Sequence, residues 1–140
     1  MLRIRRTLLA GVVALAGLGT AMSTTGTAHA DSSAIAAVEC SSGYVCLHYN
    51  SNSNGAIFRQ GFDIPNYAGY SFVTSSKGSA GAGLSVKNNA ASVDSWNFTW
   101  GFRIYYNSNY GGVYQSIGAG GTANLNADLK NQNASGRLYS

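Results

Sequence analysis

The segment Leu47-His48-Tyr49-Asn50-Ser51-Asn52-Ser53-Asn54-Gly55 recurs as Ile104-Tyr105-Tyr106-Asn107-Ser108-Asn109-Tyr110-Gly111-Gly112, at a constant offset of 57 with five of nine positions identical. A second pair, Asn88-Asn89-Ala90-Ala91-Ser92 and Asn131-Gln132-Asn133-Ala134-Ser135, recurs at an offset of 43. The offsets of 57 and 43 differ by 14, so the first copy carries an insertion of that length, which maps to Gly61 to Gly83. Units this short do not bury enough surface to stand alone, and the duplication therefore predicts two halves that close on one another.

Beyond residue 31 no apolar period of 3.6 residues is sustained, whereas short runs of Tyr, Val, Ile and Phe alternate with Gly, Asn and Ser clusters. The pattern predicts an all-β domain, two Greek-key motifs packed as a sandwich. Strands are expected at Tyr44 to Tyr49, Ala56 to Gln60, Tyr70 to Thr74, Ser92 to Asn97, Phe102 to Tyr106, Val113 to Ile117 and Gly136 to Tyr139. In the second copy Tyr105 and Tyr110 bracket a turn that ends at Gly112, a spacing that lets one ring pack on the other while the glycine takes a positive φ. Gly55 holds the same place in the first copy, and Ser92 and Ser135 are placed to cap the two hairpins by hydrogen bonding to their backbones.

Residues 1–30 read as a secretory signal peptide: Arg3, Arg5 and Arg6 precede the apolar run Leu8 to Leu18, and Ala28-His29-Ala30 offers a small-x-small cleavage site. Its Arg5-Arg6 pair suits either a general or a twin-arginine export route. Removing it leaves six basic against five acidic side chains and no Lys/Arg cluster, which argues against nucleic-acid and anionic-membrane partners. Residues 31–39 are expected to be a flexible tail, and residues 40–140 the folded, monomeric, extracellular domain. In an oxidising compartment the only two cysteines, Cys40 and Cys46, are expected to form a local disulfide.

The aromatic-x4-aromatic-x-Gly hairpin with its later serine resembles the βγ-crystallin fold. More closely, the chain resembles the secreted bacterial peptidase inhibitors named for the streptomycete metalloproteinase inhibitor. The marks are Cys40-x2-Gly43-x2-Cys46, the Tyr-Asn-Ser-Asn hairpins, Lys87-Asn88-Asn89-Ala90-Ala91-Ser92-Val93 and Asn133-Ala134-Ser135. The resemblance implies a proteinaceous inhibitor of extracellular metalloproteases, acting stoichiometrically through a surface loop. This chain departs from it in two ways: His48 and Ser53 replace the hairpin aromatics of the first copy, and Asn107 to Gly112 lacks the cysteine that clips the family's protease-facing loop.

A presented loop is instead sought in the insertion, where Asp63, Ile64, Pro65, Tyr67, Tyr70 and Phe72 are the candidate protease-facing residues. Pro65 and the aromatics would stiffen it, and Asp63 would approach a catalytic zinc. Calcium is the second candidate ligand, because calcium-binding βγ-crystallin domains resemble Asn/Asp-Asn/Asp-x-x-Ser/Thr-Ser. Asn88, Asn89, Ser92, Asn131 and Ser135 would supply oxygens, but without a carboxylate the affinity is expected to be weak. A cell-wall or glycan-binding role would use Trp96, Trp100, Tyr67 and Tyr110 as stacking faces. Apart from His29 in the signal, His48 is the only histidine, and the five acids show no paired spacing, so no enzyme and no other cofactor are expected.

Overall fold

The computed structural model describes residues 36–140, so the expected signal peptide and the first five residues of the expected tail lie outside the described residues. Seven strands follow in order: β1 (Val45–Asn50), β2 (Asn54–Gln60), β3 (Ser92–Ser95), β4 (Gly101–Asn107), β5 (Gly111–Ile117), β6 (Thr122–Asn124) and β7 (Ser135–Tyr139). They form two antiparallel sheets, β2-β1-β3-β6 and β5-β4-β7. Alternation decides which side faces the core: Val45 and Leu47 of β1 and their repeat equivalents Phe102 and Ile104 of β4 are fully buried in one apolar cluster.

The duplication is visible in the backbone. Asn52 and Ser53 are left-handed with φ of 59° and 54°, and so are Asn109 and Tyr110 with 59° and 60°. Gly55 and Gly112 follow at 81° and 76°, a conformation glycine adopts without the steric cost of a Cβ. The register breaks at equivalent places, between His48 and Asn50 in one hairpin and between Tyr105 and Asn107 in the other. Ser92 donates to the carbonyl of Asn50 at 2.6 Å and accepts from the Ser53 amide at 3.0 Å. Ser135 likewise donates to Asn107 at 2.7 Å and accepts from Tyr110 at 3.0 Å. Ser135→Ala should therefore lower stability by about 1 kcal/mol in a urea titration, because the Tyr110 amide loses its partner.

Each half lends a segment to the other's sheet. The second half contributes β6, whose Thr122, Ala123 and Asn124 pair with Asp94, Val93 and Ser92 of β3. The first half returns Ile64, which exchanges backbone hydrogen bonds of 2.9 and 3.0 Å with Gly136 of β7, and Tyr67, whose amide donates to Ala134 at 2.9 Å. The tripeptide β6 has no apolar alternation to announce it; it is a strand because β3 offers an open edge.

One expected strand is corrected. Tyr70 to Thr74 makes only isolated bridges, Val73 with Ile57 and Ser71 with Ser85. Gly69, Gly78, Gly81 and Gly83, all at positive φ, turn the chain repeatedly so that it crosses the edge of β2 instead of running along it. The insertion thereby does for the first hairpin what the Tyr105–Tyr110 ring pair, 5.9 Å apart, does for the second. Lys77 and Ala80 accept from the amides of Gly55 and Ala56 at 3.1 and 2.9 Å, Ser75 donates to Gly55 at 2.8 Å, and the Tyr49 side chain packs against Gly81, where no side chain would fit. At the described end of the tail, Val38 donates to Thr74 at 2.9 Å, which anchors it to the same insertion. Cys40 and Cys46 form a disulfide.

Candidate functional site

The insertion does not present its candidate residues as a group. Ile64, Tyr67 and Phe72 are fully buried and belong to the apolar core. Their side chains hold the two halves together and are closed to a partner, which removes them from a contact loop and removes Tyr67 from the stacking faces. Asp63, Pro65 and Tyr70 remain at the surface. The Asp63 carboxylate accepts from the Leu138 amide at 2.8 Å, tying it to β7. Tyr110 is half-buried, with the Arg137 guanidinium 5.4 Å from its ring centroid covering one face.

Trp96 and Trp100 behave differently. Both are exposed, on the connection between β3 and β4 that joins the two halves, and between them stands Phe98, at 67 % the most exposed large apolar side chain described. A loop of this length gains rigidity only if its backbone polar groups find partners. Here the Trp96 amide donates to Tyr44 at 2.8 Å, its carbonyl accepts from Gly43 at 3.0 Å, and the Asn97 carbonyl accepts from Gly120 at 2.8 Å. The buried Asn97 side chain accepts from Thr99 at 3.1 Å and Trp100 at 2.8 Å, closing an Asx-type turn under Phe98. The Trp96 indole donates at 3.1 Å to Asp94, whose other oxygen accepts from Thr122 at 2.9 Å. The backbone and one of the rings are thus pre-set.

Trp96 and Phe98 line one cleft of about 260 Å³ with Asp94, Ser95 and Gly120. Asp94 and Trp96 also wall a second cavity of about 380 Å³ that reaches Glu39, Lys77 and His48. His48 is buried with no hydrogen-bond partner at either ring nitrogen. Burial pushes its pKa below 6.5, the Asp94 carboxylate opposes that, and Lys77 adds to it. The imidazole is a neutral packing group, in the position Tyr105 holds in the other half. Sequence reading singled out the two tryptophans but not Phe98, although Trp96-Asn97-Phe98-Thr99-Trp100 places an aromatic at every second residue in a link that no strand neighbour covers.

The calcium candidates sit at two small clefts. One, of about 280 Å³, includes Lys87, Asn88, Asn107 and Ser108; the other, of about 200 Å³, includes Lys130, Asn131, Asn50 and Ser51. No carboxylate lines either, and no group of three His, Cys, Asp or Glu able to hold a metal exists among the described residues. Ser92 and Ser135 are committed to the hairpin caps, and the Asn89 amide donates within its own turn to Ser85 and Lys87. A lysine ammonium points into each cleft, and the residues present do not suit a calcium ion. Both lysines were available to sequence reading, since the 43-residue repeat extends one position upstream to Lys87 and Lys130.

No family model and no curated protein matches the chain in sequence. The fold has solved counterparts. A βγ-crystallin domain studied for the evolution of the eye-lens domain fold superimposes with a TM-score of 0.57 at 14% identity, covering 74% of this chain and 92% of that one. A doubly substituted βγ-crystallin domain from Clostridium beijerinckii gives a TM-score of 0.50 at 14% identity, covering 69% and 96%. The protein has a βγ-crystallin-like fold of two Greek keys. At such identities the likeness is one of fold alone.

Proposed function

We propose that this chain is a secreted, non-catalytic inhibitor of extracellular metalloproteases, and that its contact loop is the connection Trp96 to Trp100. The observation that carries the reading is Phe98: a large apolar side chain held out to solvent at the tip of a turn whose backbone is pinned on both flanks. Exposing such a group has no folding benefit, whereas a pre-ordered loop loses little entropy when it enters a protease cleft. The partner class comes from the peptidase-inhibitor resemblance in the sequence, and the disulfide and small net charge suit an extracellular protein.

The test is an inhibition titration of a thermolysin-type protease and a serine protease with the processed, oxidised chain. Inhibition should saturate at a one-to-one ratio. Phe98→Ala should weaken it by about thirtyfold, the scale of an interface hot spot, whereas Phe62→Ala, an exposed aromatic outside the loop, should leave it unchanged. No slowing of any protease in the panel rejects inhibition.

The paired exposure of Trp96 and Trp100 favours a second reading, a glycan or cell-wall binder that stacks sugar rings on the indoles. Retention on peptidoglycan or chitin, lost in Trp96→Ala and Trp100→Ala, would support it; passage through every polymer unretained rejects it. A structural module of this fold is compatible with the same architecture, but its weakly calcium-binding form is opposed by the ammonium groups of Lys87 and Lys130.

A further inference from the structure

The two small clefts are copies of one another. Asn107 and Ser108 in the first correspond to Asn50 and Ser51 in the second, and Lys87 corresponds to Lys130. Each cleft is walled by the hairpin of one half and the segment before the capping serine of the other, so a charge placed there bridges the halves. Asn88 and Asn131, which follow the lysines, are left-handed at 63° and 59°, so the two lysines leave equivalent turns in equivalent directions. Lys87 Nζ donates to Ser108 Oγ at 3.2 Å and to Asn66 Oδ1 at 3.1 Å. Lys130 Nζ donates to Ser51 Oγ at 2.7 Å.

An oxygen-lined gap between two segments favours a cation. A hard dication there calls for carboxylate charge among its oxygens, and no Asp or Glu lines either cleft. An ammonium requires only a few acceptors within reach of its three donors, which Ser, Asn and backbone oxygens supply. We infer that both clefts are self-occupied cation sites: the tethered ammonium groups of Lys87 and Lys130 cross-link each hairpin to the opposite half and make the fold independent of divalent metal.

Calcium and terbium titrations of the oxidised protein test this. At about 10 mM calcium, a concentration that would fill a millimolar site, the melting temperature of the unaltered chain should not move. The double variant Lys87→Asp/Lys130→Asp should melt lower in chelator and regain about 10 °C on adding calcium, about 5 °C for each site filled roughly tenfold over its dissociation constant. Terbium emission sensitised by Tyr106 and Tyr49, which line the two clefts, should appear in the variant and be absent from the unaltered chain. Each single variant should show about half of either response, which keeps the test decisive if the double variant does not fold. Calcium stabilisation or terbium emission in the unaltered chain, or lysine-to-aspartate variants that respond to neither ion, would overturn the inference.

Discussion

Gly136→Ala should destabilise the protein by about 3 kcal/mol, the upper range for an added methyl in a packed core. Gly136 lies in β7 between Ile104 of β4 and Ile64 of the insertion, where the two halves exchange backbone hydrogen bonds. A Cβ there would run into the Tyr67 hydroxyl and come within 2.7 Å of the Phe102 ring. Neither ring can retreat. Both are fully buried, and Tyr67 donates to Gln60 Oε1 at 2.6 Å while Gln60 Nε2 donates to the carbonyls of Gly136 and Phe62, each at 2.8 Å. Moving Tyr67 would leave a buried amide oxygen unpaired, which adds a polar penalty to the steric one. Burial raises the Tyr67 pKa well above 10.0, so the phenol stays a donor in alkaline solution.

Urea titrations check this with two comparisons. Gly118→Ala, with open space at its Cβ, should change stability by less than about 0.5 kcal/mol. Tyr67→Phe in the Gly136→Ala background should cost less than the sum of the single changes, because it removes the atom that clashes. A Gly136→Ala protein as stable as Gly118→Ala would mean that the halves are not closed as tightly as described.

His48→Leu should have the opposite sign, stabilising by about 2 kcal/mol at neutral pH through removal of two buried ring nitrogens that lack partners. The larger difference appears in acid. Because burial lowers the His48 pKa in the folded state, the unfolded chain takes up a proton first as the pH falls below 6.5. The stabilisation from keeping this imidazole neutral is complete above 6.5 and is lost progressively as the pH falls from there through the lowered native value. Stability measured between pH 7 and pH 4 should therefore drop less in His48→Leu than in the unaltered chain. Equal slopes in the two proteins would show that His48 finds a proton acceptor in the folded state.

His48 also illustrates what could be read without coordinates. Its place in the repeat identified it as a substitute for a hairpin aromatic, and the same alignment of Ser92 with Ser135 and Gly55 with Gly112 assigned caps and turns, because these depend on local backbone geometry that a short motif encodes. The burial of half of the insertion's candidate residues is not legible in the sequence. Ile64, Tyr67 and Phe72 are spaced irregularly and surrounded by glycine and serine, so nothing local distinguishes an apolar residue displayed to a partner from one folded under a neighbouring hairpin. The exposure of Phe98 follows from the non-local partners that hold its loop, Tyr44, Gly43 and Gly120, which no local pattern announces.

The sequence by itself determined the duplication, the all-β character, the two capped hairpins and the available disulfide, since each rests on contacts between residues close in the chain or on an internal comparison of the chain with itself. Only the tertiary structure decided the exchange of β6 and Ile64 between sheets, the burial of half the insertion, the exposure of Phe98 and the entry of Lys87 and Lys130 into opposite clefts. Those features join residues tens of positions apart, and which partner a side chain meets there is set by the packing of both halves together rather than by any segment's own preference.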